Sequence, residues 1–228
     1  MTPATAARTA TDRTTPDRST ADRSTADRTT TGRTASTART PATERPAAVP
    51  VRGTARLHRL VEDVREAVGR GLPPELTAHL VSEALRPHMG APDLLTEDQR
   101  QGDSETYRSH LLHAEADGSF SVVGIVWLPG QRTCIHDHVA WCVAGVHEGE
   151  ESERRYRLVP DGTSARLVPI QDVVNPQGEV CGFAPPGDIH RVWNAGTDAA
   201  ISIHVYGADI SRLGSSVRRV YDLPEDDQ

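Results

Sequence analysis

The sequence predicts an all-β domain, a small barrel or sandwich of short strands, with two helices packed on it and a disordered tail before it. Three observations predict this arrangement. Residues 1–50 carry almost no large apolar side chains. Apolar residues follow helical spacing between residues 54 and 87, and after Thr106 the apolar period shifts towards two. We therefore expect a tail over residues 1–53 and one folded domain over residues 54–228.

The tail is a low-complexity segment that repeats loosely every five residues. Thr, Ala, Ser and Pro fill the intervals between regularly spaced arginines, several of which follow an aspartate. The arginines in step are Arg8, Arg13, Arg18, Arg23, Arg28 and Arg33. Such a segment cannot bury enough apolar surface to offset the entropy lost on ordering, so it is predicted to be disordered.

The charge balance argues against nucleic acid as a partner. All 25 basic residues are Arg, and residues 51–228 hold 17 of them against 27 acidic residues, a formal charge of −10. A phosphate backbone would repel so acidic a folded part. No apolar run reaches the roughly 18 residues that a membrane span needs, and no signal-like segment opens the chain. An odd number of cysteines, three, does not make a disulfide framework, so a cytoplasmic protein is expected.

Two helices are predicted at the start of the folded domain. The first has its apolar residues at helical spacing, at Leu57, Leu60, Val61, Val64 and Val68. Gly69 and Gly71 lie at its end, Pro73 and Pro74 open the second helix, and Pro87 stops it.

The rest of the domain is predicted to consist of short strands. Each run alternates or is rich in apolar residues, and each is bounded by turn-forming residues. Many short strands at close spacing are typical of a sandwich or a barrel. The predicted strands are residues 107–113, 120–128, 133–147, 154–160, 165–170, 180–184, 190–194 and 200–206.

Three of the ten histidines are placed like metal ligands. His136 and His138 are two residues apart in a predicted strand, so both imidazoles project from one face. Neutral imidazole is a common ligand for Fe, Zn, Cu and Ni. The pair alone is also compatible with two surface histidines. His190, which follows a Pro-Pro-Gly-Asp-Ile stretch and precedes Asn194 by four, supplies a third donor.

These spacings resemble the two motifs of the cupin superfamily. The first motif is matched by Gly130, His136-Asp137-His138 and Gly149, with Cys142 where the motif has Glu. The second is matched by Pro185-Pro186-Gly187, His190 and Asn194, although Glu179 stands where its leading Gly belongs. The resemblance implies the cupin fold, a double-stranded β-helix or jelly-roll barrel.

The absence of the motif's glutamate narrows the resemblance to one family within the cupin superfamily. Three histidines without a carboxylate are similar to the metal site of the cysteine dioxygenase and 3-mercaptopropionate dioxygenase family, the thiol dioxygenases. The run 120–127, the block 190–194 and the alternating Ser202, His204 and Tyr206 resemble that family as well. The resemblance covers roughly residues 57–222. It implies Fe(2+) held by His136, His138 and His190, and a Ser-His-Tyr relay that fixes the tyrosine proton near the iron.

Two further site predictions depend on the resemblance. Cys142 has the strand parity of the ligands and should face the metal cavity, where it could form a thioether with Tyr206 or be an inert buried residue. The family's substrate carboxylate needs a cation, and Ser109 stands where one branch has Arg. Arg219 is our first choice and Arg212 our second, although either could be a solvated surface residue.

The function predicted is oxidation of a small thiol carboxylate, cysteine or 3-mercaptopropionate, with O2 to the sulfinate. The enzyme is expected to be a monomer. Other cupin enzymes usually keep the Glu ligand that is missing here. The alternative from another class is a non-catalytic metal-binding cupin that acts as a small-molecule sensor or binding module.

Overall fold

The computed structural model describes residues 53–223. The predicted disordered tail over residues 1–53 therefore lies outside the described residues except for its last one, as do residues 224–228 at the other end of the chain.

Two helices open the described part, as the sequence predicts. They are α1 (Ala55–Gly69) and α2 (Pro74–Leu85). The side chain of Thr54 accepts a hydrogen bond from the Leu57 backbone N–H and caps α1. Pro74 occupies the first turn of α2, where its missing N–H costs nothing because that group would have no intrahelical partner. The apolar face of α1 is buried, at Leu57, Leu60, Val61, Val64 and Ala67.

Short strands form the rest of the domain. Single turns of 3-10 helix (Arg86–His88 and Glu97–Arg100) lead into them, and a short α3 (Ile210–Leu213) precedes the last one. The strands are β1 (Arg108–Ala114), β2 (Ser121–Trp127), β3 (His136–His138), β4 (Cys142–Glu148), β5 (Glu150–Asp161), β6 (Ser164–Pro176), β7 (Val180–Phe183), β8 (His190–Trp193), β9 (Ala200–Tyr206) and β10 (Val217–Val220).

The strands pair into two antiparallel sheets of five. One sheet has the order β1-β2-β9-β4-β7 and the other β10-β3-β8-β5-β6. Neighbours that are distant in sequence, such as β2 with β9 and β3 with β8, give the jelly-roll connectivity. The predicted all-β cupin barrel with two N-terminal helices is confirmed.

The central strands β2 and β9 of the first sheet are buried on both faces, and β9 shows why. Ile201, Ile203 and Val205 belong to the apolar cluster that includes the buried faces of α1 and α2. Because side chains alternate along a strand, Ser202, His204 and Tyr206 project to the other face, which is the barrel interior. All seven residues of β9 are buried for this reason.

The structure differs from the sequence prediction in the strand predicted over residues 133–147. The chain bends at residues 139–141, so β3 belongs to one sheet and β4 to the other. Strand β10, which the sequence did not predict, pairs with β3 at the edge of the second sheet. Within residues 53–223, no helix is long and apolar enough to cross a membrane.

Candidate metal centre

Three histidine side chains meet inside the barrel. His136 and His138 lie on β3, two residues apart, and His190 on β8 is the directly paired residue of His136. Paired residues of antiparallel strands project to the same face of a sheet. All three are buried, and their ligand nitrogens lie within 4.8 Å of one another. The sheet register thus brings together the three predicted ligands.

Each imidazole is oriented by a hydrogen bond at its Nδ1 atom. His136 Nδ1 lies 3.0 Å from the carbonyl oxygen of Cys134, which can only accept, so Nδ1 is the donor. His138 Nδ1 lies 3.0 Å from Asp188 Oδ2, and His190 Nδ1 lies 2.8 Å from Glu153 Oε1. Such outer partners leave Nε2 as the lone-pair nitrogen and fix the direction of the ring.

The free Nε2 atoms fit a metal ion. His190 Nε2 is buried and has no hydrogen-bond partner. A buried polar atom without a partner is costly, and a cation held by the three nitrogens would satisfy it. The donors are neutral nitrogens with no carboxylate among them, a set that suits Fe, Zn, Cu or Ni. The three-histidine cluster therefore fits a metal ion by its chemistry as well as by its geometry.

The charges around the cluster also favour a divalent cation. Burial lowers the pKa of His136 to about 3, with repulsion from His190 and His138 adding to it. Burial would raise the pKa of Glu153, but hydrogen bonds from His190 and Arg155 outweigh it and lower that pKa to about 2. The pKa of Asp188 is lowered because the hydrogen bonds of His138 outweigh burial. At neutral pH, two carboxylates thus lie behind the His138 and His190 rings.

A cavity of about 240 Å³ lies beside the three histidines. Part of its wall is apolar, at Val123, Ile125, Trp127 and Val192. The rest is lined largely by side chains that carry a hydroxyl, at Tyr107, Ser109, Thr133, Tyr206, Ser215 and Ser216. The cavity can hold a small molecule that is apolar on one side and forms hydrogen bonds on the other.

The predicted relay is assembled on β9. Tyr206 Oη lies 3.3 Å from His204 Nδ1, and His204 Nε2 lies 2.9 Å from Ser202 Oγ. Burial lowers the pKa of His204 to about 3, with the three ligand histidines contributing, so the ring is neutral. Burial raises the pKa of Tyr206 well above its usual value, with Cys142 contributing. A protonated phenol at the cavity is therefore joined to a neutral imidazole and a hydroxyl.

Cys142 is fully buried on β4, directly opposite Tyr206 on β9. The two side chains belong to one buried cluster. The prediction that Cys142 faces the metal cavity assumes a continuous strand from His138 to Cys142, but the bend at residues 139–141 interrupts that strand. Cys142 reaches the interior because the bend carries the chain into the other sheet. Burial raises the pKa of its thiol well above the usual range, so the sulfur is protonated.

The structure does not bring the two predicted substrate arginines to the cavity. Arg219 lies on β10 and donates through Nη2 to Asp137 Oδ2 at 2.7 Å. Asp137 stands between two ligands, so its side chain projects away from the metal cavity, and β10 pairs with that outer edge. Arg212 pairs with Asp209 at 2.9 Å. Within the described part of the chain, no arginine lines the cavity, whereas Ser109 does.

Sequence reasoning missed the two carboxylates that orient the ligands. Asp188 lies two residues before His190, within the second motif, and that proximity was a usable signal. Glu153 lies just outside the strand predicted over residues 154–160, whereas the observed β5 begins at Glu150 and buries Glu151, Ser152 and Glu153 in succession.

Comparison with known proteins agrees with this site. The family described as cysteine dioxygenase type I matches residues 99–215, just over half of the chain. The matched range contains the three histidines, the relay and Cys142.

Several solved structures are similar to parts of the chain. One is a protein from Thermus thermophilus, with 20% identity over 53% of this chain and 98% of that one and a TM-score of 0.38. A second is an RmlC-like cupin protein from Desulfovibrio desulfuricans, with 20% identity over 47% and 88% and a TM-score of 0.34. A third is a Cupin 2 conserved barrel domain protein from Salinispora arenicola, with 20% identity over 53% and 89% and a TM-score of 0.35.

Proposed function

Because this chain belongs to the cysteine dioxygenase type I family, we propose that it is an iron thiol dioxygenase. Its substrate is a small thiol carboxylate, cysteine or 3-mercaptopropionate, which O2 oxidises to the sulfinate. The observation that carries the proposal is the three-histidine cluster, whose ligand nitrogens converge within 4.8 Å beside a cavity of about 240 Å³.

His136, His138 and His190 would hold one Fe(2+). Bound iron would supply redox chemistry and open positions for a thiolate and for dioxygen. Because the protein would supply only three donors, the ion would keep room for both reactants. Asp188 and Glu153 keep the His138 and His190 rings directed at the ion through bonds of 3.0 and 2.8 Å.

The cavity walls have two separate tasks. The apolar side chains of Val123, Ile125 and Val192 exclude water from the reacting sulfur. The hydroxyls of Ser109, Ser215 and Ser216 would donate hydrogen bonds to the polar end of the substrate, since the arginines that the sequence suggested lie elsewhere. Hydroxyl donors can hold a carboxylate, although each bond is weaker than one from a guanidinium.

Tyr206 supplies an ordered proton at the cavity. Its hydroxyl is held by His204 at 3.3 Å and stays protonated because burial raises the pKa of the phenol. A phenol fixed in this way can donate a hydrogen bond to a reactant beside the metal site.

Oxygen uptake tests the proposal. The purified full-length protein is loaded with Fe(2+) without air, and oxygen consumption and sulfinate are then measured with cysteine, 3-mercaptopropionate and cysteamine. The zinc-loaded protein is the matched control. We expect one O2 consumed per sulfinate formed with cysteine or 3-mercaptopropionate, and less with cysteamine, which has no carboxylate. No oxygen uptake with any thiol would favour a non-catalytic binding module, and disulfide as the sole product would also overturn the proposal.

A further inference from the structure

A buried glutamate stands behind the relay. Glu151, on β5, is only 3% exposed, and its Oε1 atom is buried without a hydrogen-bond partner. Its carboxyl group interacts with the Ser202 hydroxyl and the Trp127 indole. It also lines a second, much smaller cavity of about 20 Å³. A buried carboxyl with an unsatisfied oxygen is costly, and neither the metal site nor the substrate cavity explains it.

The carboxyl group continues the relay by one member. Tyr206 Oη, His204 and Ser202 Oγ are joined by contacts of 3.3 and 2.9 Å, and the Trp127 indole donates to Ser202 Oγ at 3.1 Å. A hydroxyl carries a single proton. Since Trp127 only donates, Ser202 must give its proton either to His204 or to Glu151.

We infer that Glu151 is a positioning residue that ends the relay, and that its protonation state sets whether the Tyr206 hydroxyl points at His204 or into the cavity. The inference deepens the proposed function and rests on it for its catalytic meaning. It concerns the proton supply of the metal site.

The donor directions follow from counting protons. With Glu151 ionised, Ser202 donates to the carboxylate, His204 donates through Nε2 to Ser202, and Tyr206 donates to His204 Nδ1. With Glu151 protonated, the carboxyl donates to Ser202, Ser202 donates to His204 Nε2, and His204 donates through Nδ1 to Tyr206. The tyrosine proton then points into the cavity. Donation of that proton shifts one proton along each bond and leaves Glu151 ionised, so one proton leaves the carboxyl and one reaches the reactant.

The surroundings let this proton move near neutral pH. Burial, reinforced by the charge of Glu153, raises the pKa of Glu151 to about 7, although the bonds from Ser202 and Trp127 oppose it. The imidazoles of the three metal ligands lie beside the relay but are not part of it, because each forms its Nδ1 hydrogen bond with another group. The titratable side chains that line the small cavity with Glu151 are Glu153, Glu179, Cys181, His190 and His204.

The His204 tautomer tests the inference without any turnover. Nitrogen-edited NMR of the zinc-loaded full-length protein, which is diamagnetic, reports which ring nitrogen carries the proton. We expect the proton on Nδ1 below pH about 7 and on Nε2 above it. In Glu151→Gln the tautomer should stay the same across this range. Glu150→Gln removes the same charge from the exposed neighbouring residue and should behave like the unmodified protein.

Activity gives a second readout, with iron loaded. The turnover number of the unmodified enzyme and of Glu150→Gln should fall as the pH rises through about 7, and that fall should vanish in Glu151→Gln while bound iron stays the same.

A His204 tautomer that does not change with pH, or that changes equally in Glu151→Gln, overturns the inference. If Glu151→Gln does not fold, infrared spectroscopy of the unmodified protein decides, because a protonated carboxyl band must disappear over the same pH range. An inactive enzyme with the expected tautomer change would refute the proposed function alone.

Discussion

The buried carboxyl of Glu151 should make the fold less stable as the pH rises, and Glu151→Gln should remove this loss. Its pKa is raised from the ordinary 4.5 to about 7 in the folded protein, chiefly by burial. Between these values the folded chain holds a proton that the unfolded chain has released. The free energy of unfolding must therefore fall as the pH rises through this window, and it is constant below and above it as far as this group is concerned.

The size of the effect follows from the same pKa difference. One pKa unit corresponds to about 1.4 kcal/mol between the two protonation states. The interval from 4.5 to about 7 therefore corresponds to roughly 3 kcal/mol. Gln keeps the shape of the side chain and its ability to bond Ser202, but it does not titrate. From the acidic to the alkaline side of the window, the free energy of unfolding of the variant should therefore rise by about 3 kcal/mol relative to that of the unmodified protein.

Urea denaturation at the two ends of the window measures this change. The experiment uses full-length protein treated with chelator, since a bound metal would add its own pH-dependent stabilisation. Glu150→Gln, at an exposed residue of the same strand, is the matched control and should follow the unmodified protein. If the free energies of unfolding of Glu151→Gln and of the unmodified protein differ by the same amount at both ends of the window, Glu151 ionises alike in the folded and unfolded states and the prediction is wrong.

Three further predictions concern Cys142, Arg219 and the tail. Because Cys142 lies opposite Tyr206, a chain lighter by two hydrogens, from a thioether formed with O2 as oxidant, is expected by intact-mass spectrometry after turnover. It should be absent in Cys142→Ala, and a single unchanged mass in the unmodified protein would mean that Cys142 only packs. Arg219→Ala should leave the KM for the thiol nearly unchanged, since its guanidinium bonds Asp137; a large rise in KM would place it at the substrate. Deleting residues 1–50 should leave turnover and melting temperature nearly unchanged, and a large drop in melting temperature would show that the tail packs on the domain.

The sequence predicts the metal ligands well because the relevant signals are local. His136 and His138 share a strand face by spacing alone, and His190 stands in a motif with fixed neighbours. The pairing of His136 with His190 depends on two strands far apart in the chain meeting in one sheet. Spacing along the chain does not contain that information, so the sequence identifies the donors while the sheet register supplies the site.

The arginines show where a family resemblance fails to place a side chain. Arg219 is the first choice because one branch of the family has an Arg after the relay tyrosine, but its placement depends on β10, a short edge strand that the sequence did not predict. Its partner Asp137 projects outward because its neighbours on both sides project inward. Glu151 and Glu153 were missed for a similar reason: charged residues usually mark a solvated strand end, and here the barrel buries them against Ser202 and His190. The positions of these side chains depend on pairing between strands that are far apart in the chain.

Isotope incorporation shows most clearly whether the three histidines hold an iron at which O2 oxidises a thiol. The iron-loaded protein and His190→Ala are given the thiol and dioxygen labelled with the heavy oxygen isotope, and bound iron and the mass of the sulfinate are measured. We expect sulfinate with two labelled oxygens from the unmodified protein, and loss of most iron and product in a folded His190→Ala. Sulfinate oxygen derived from water, or full iron and turnover in His190→Ala, would contradict this expectation.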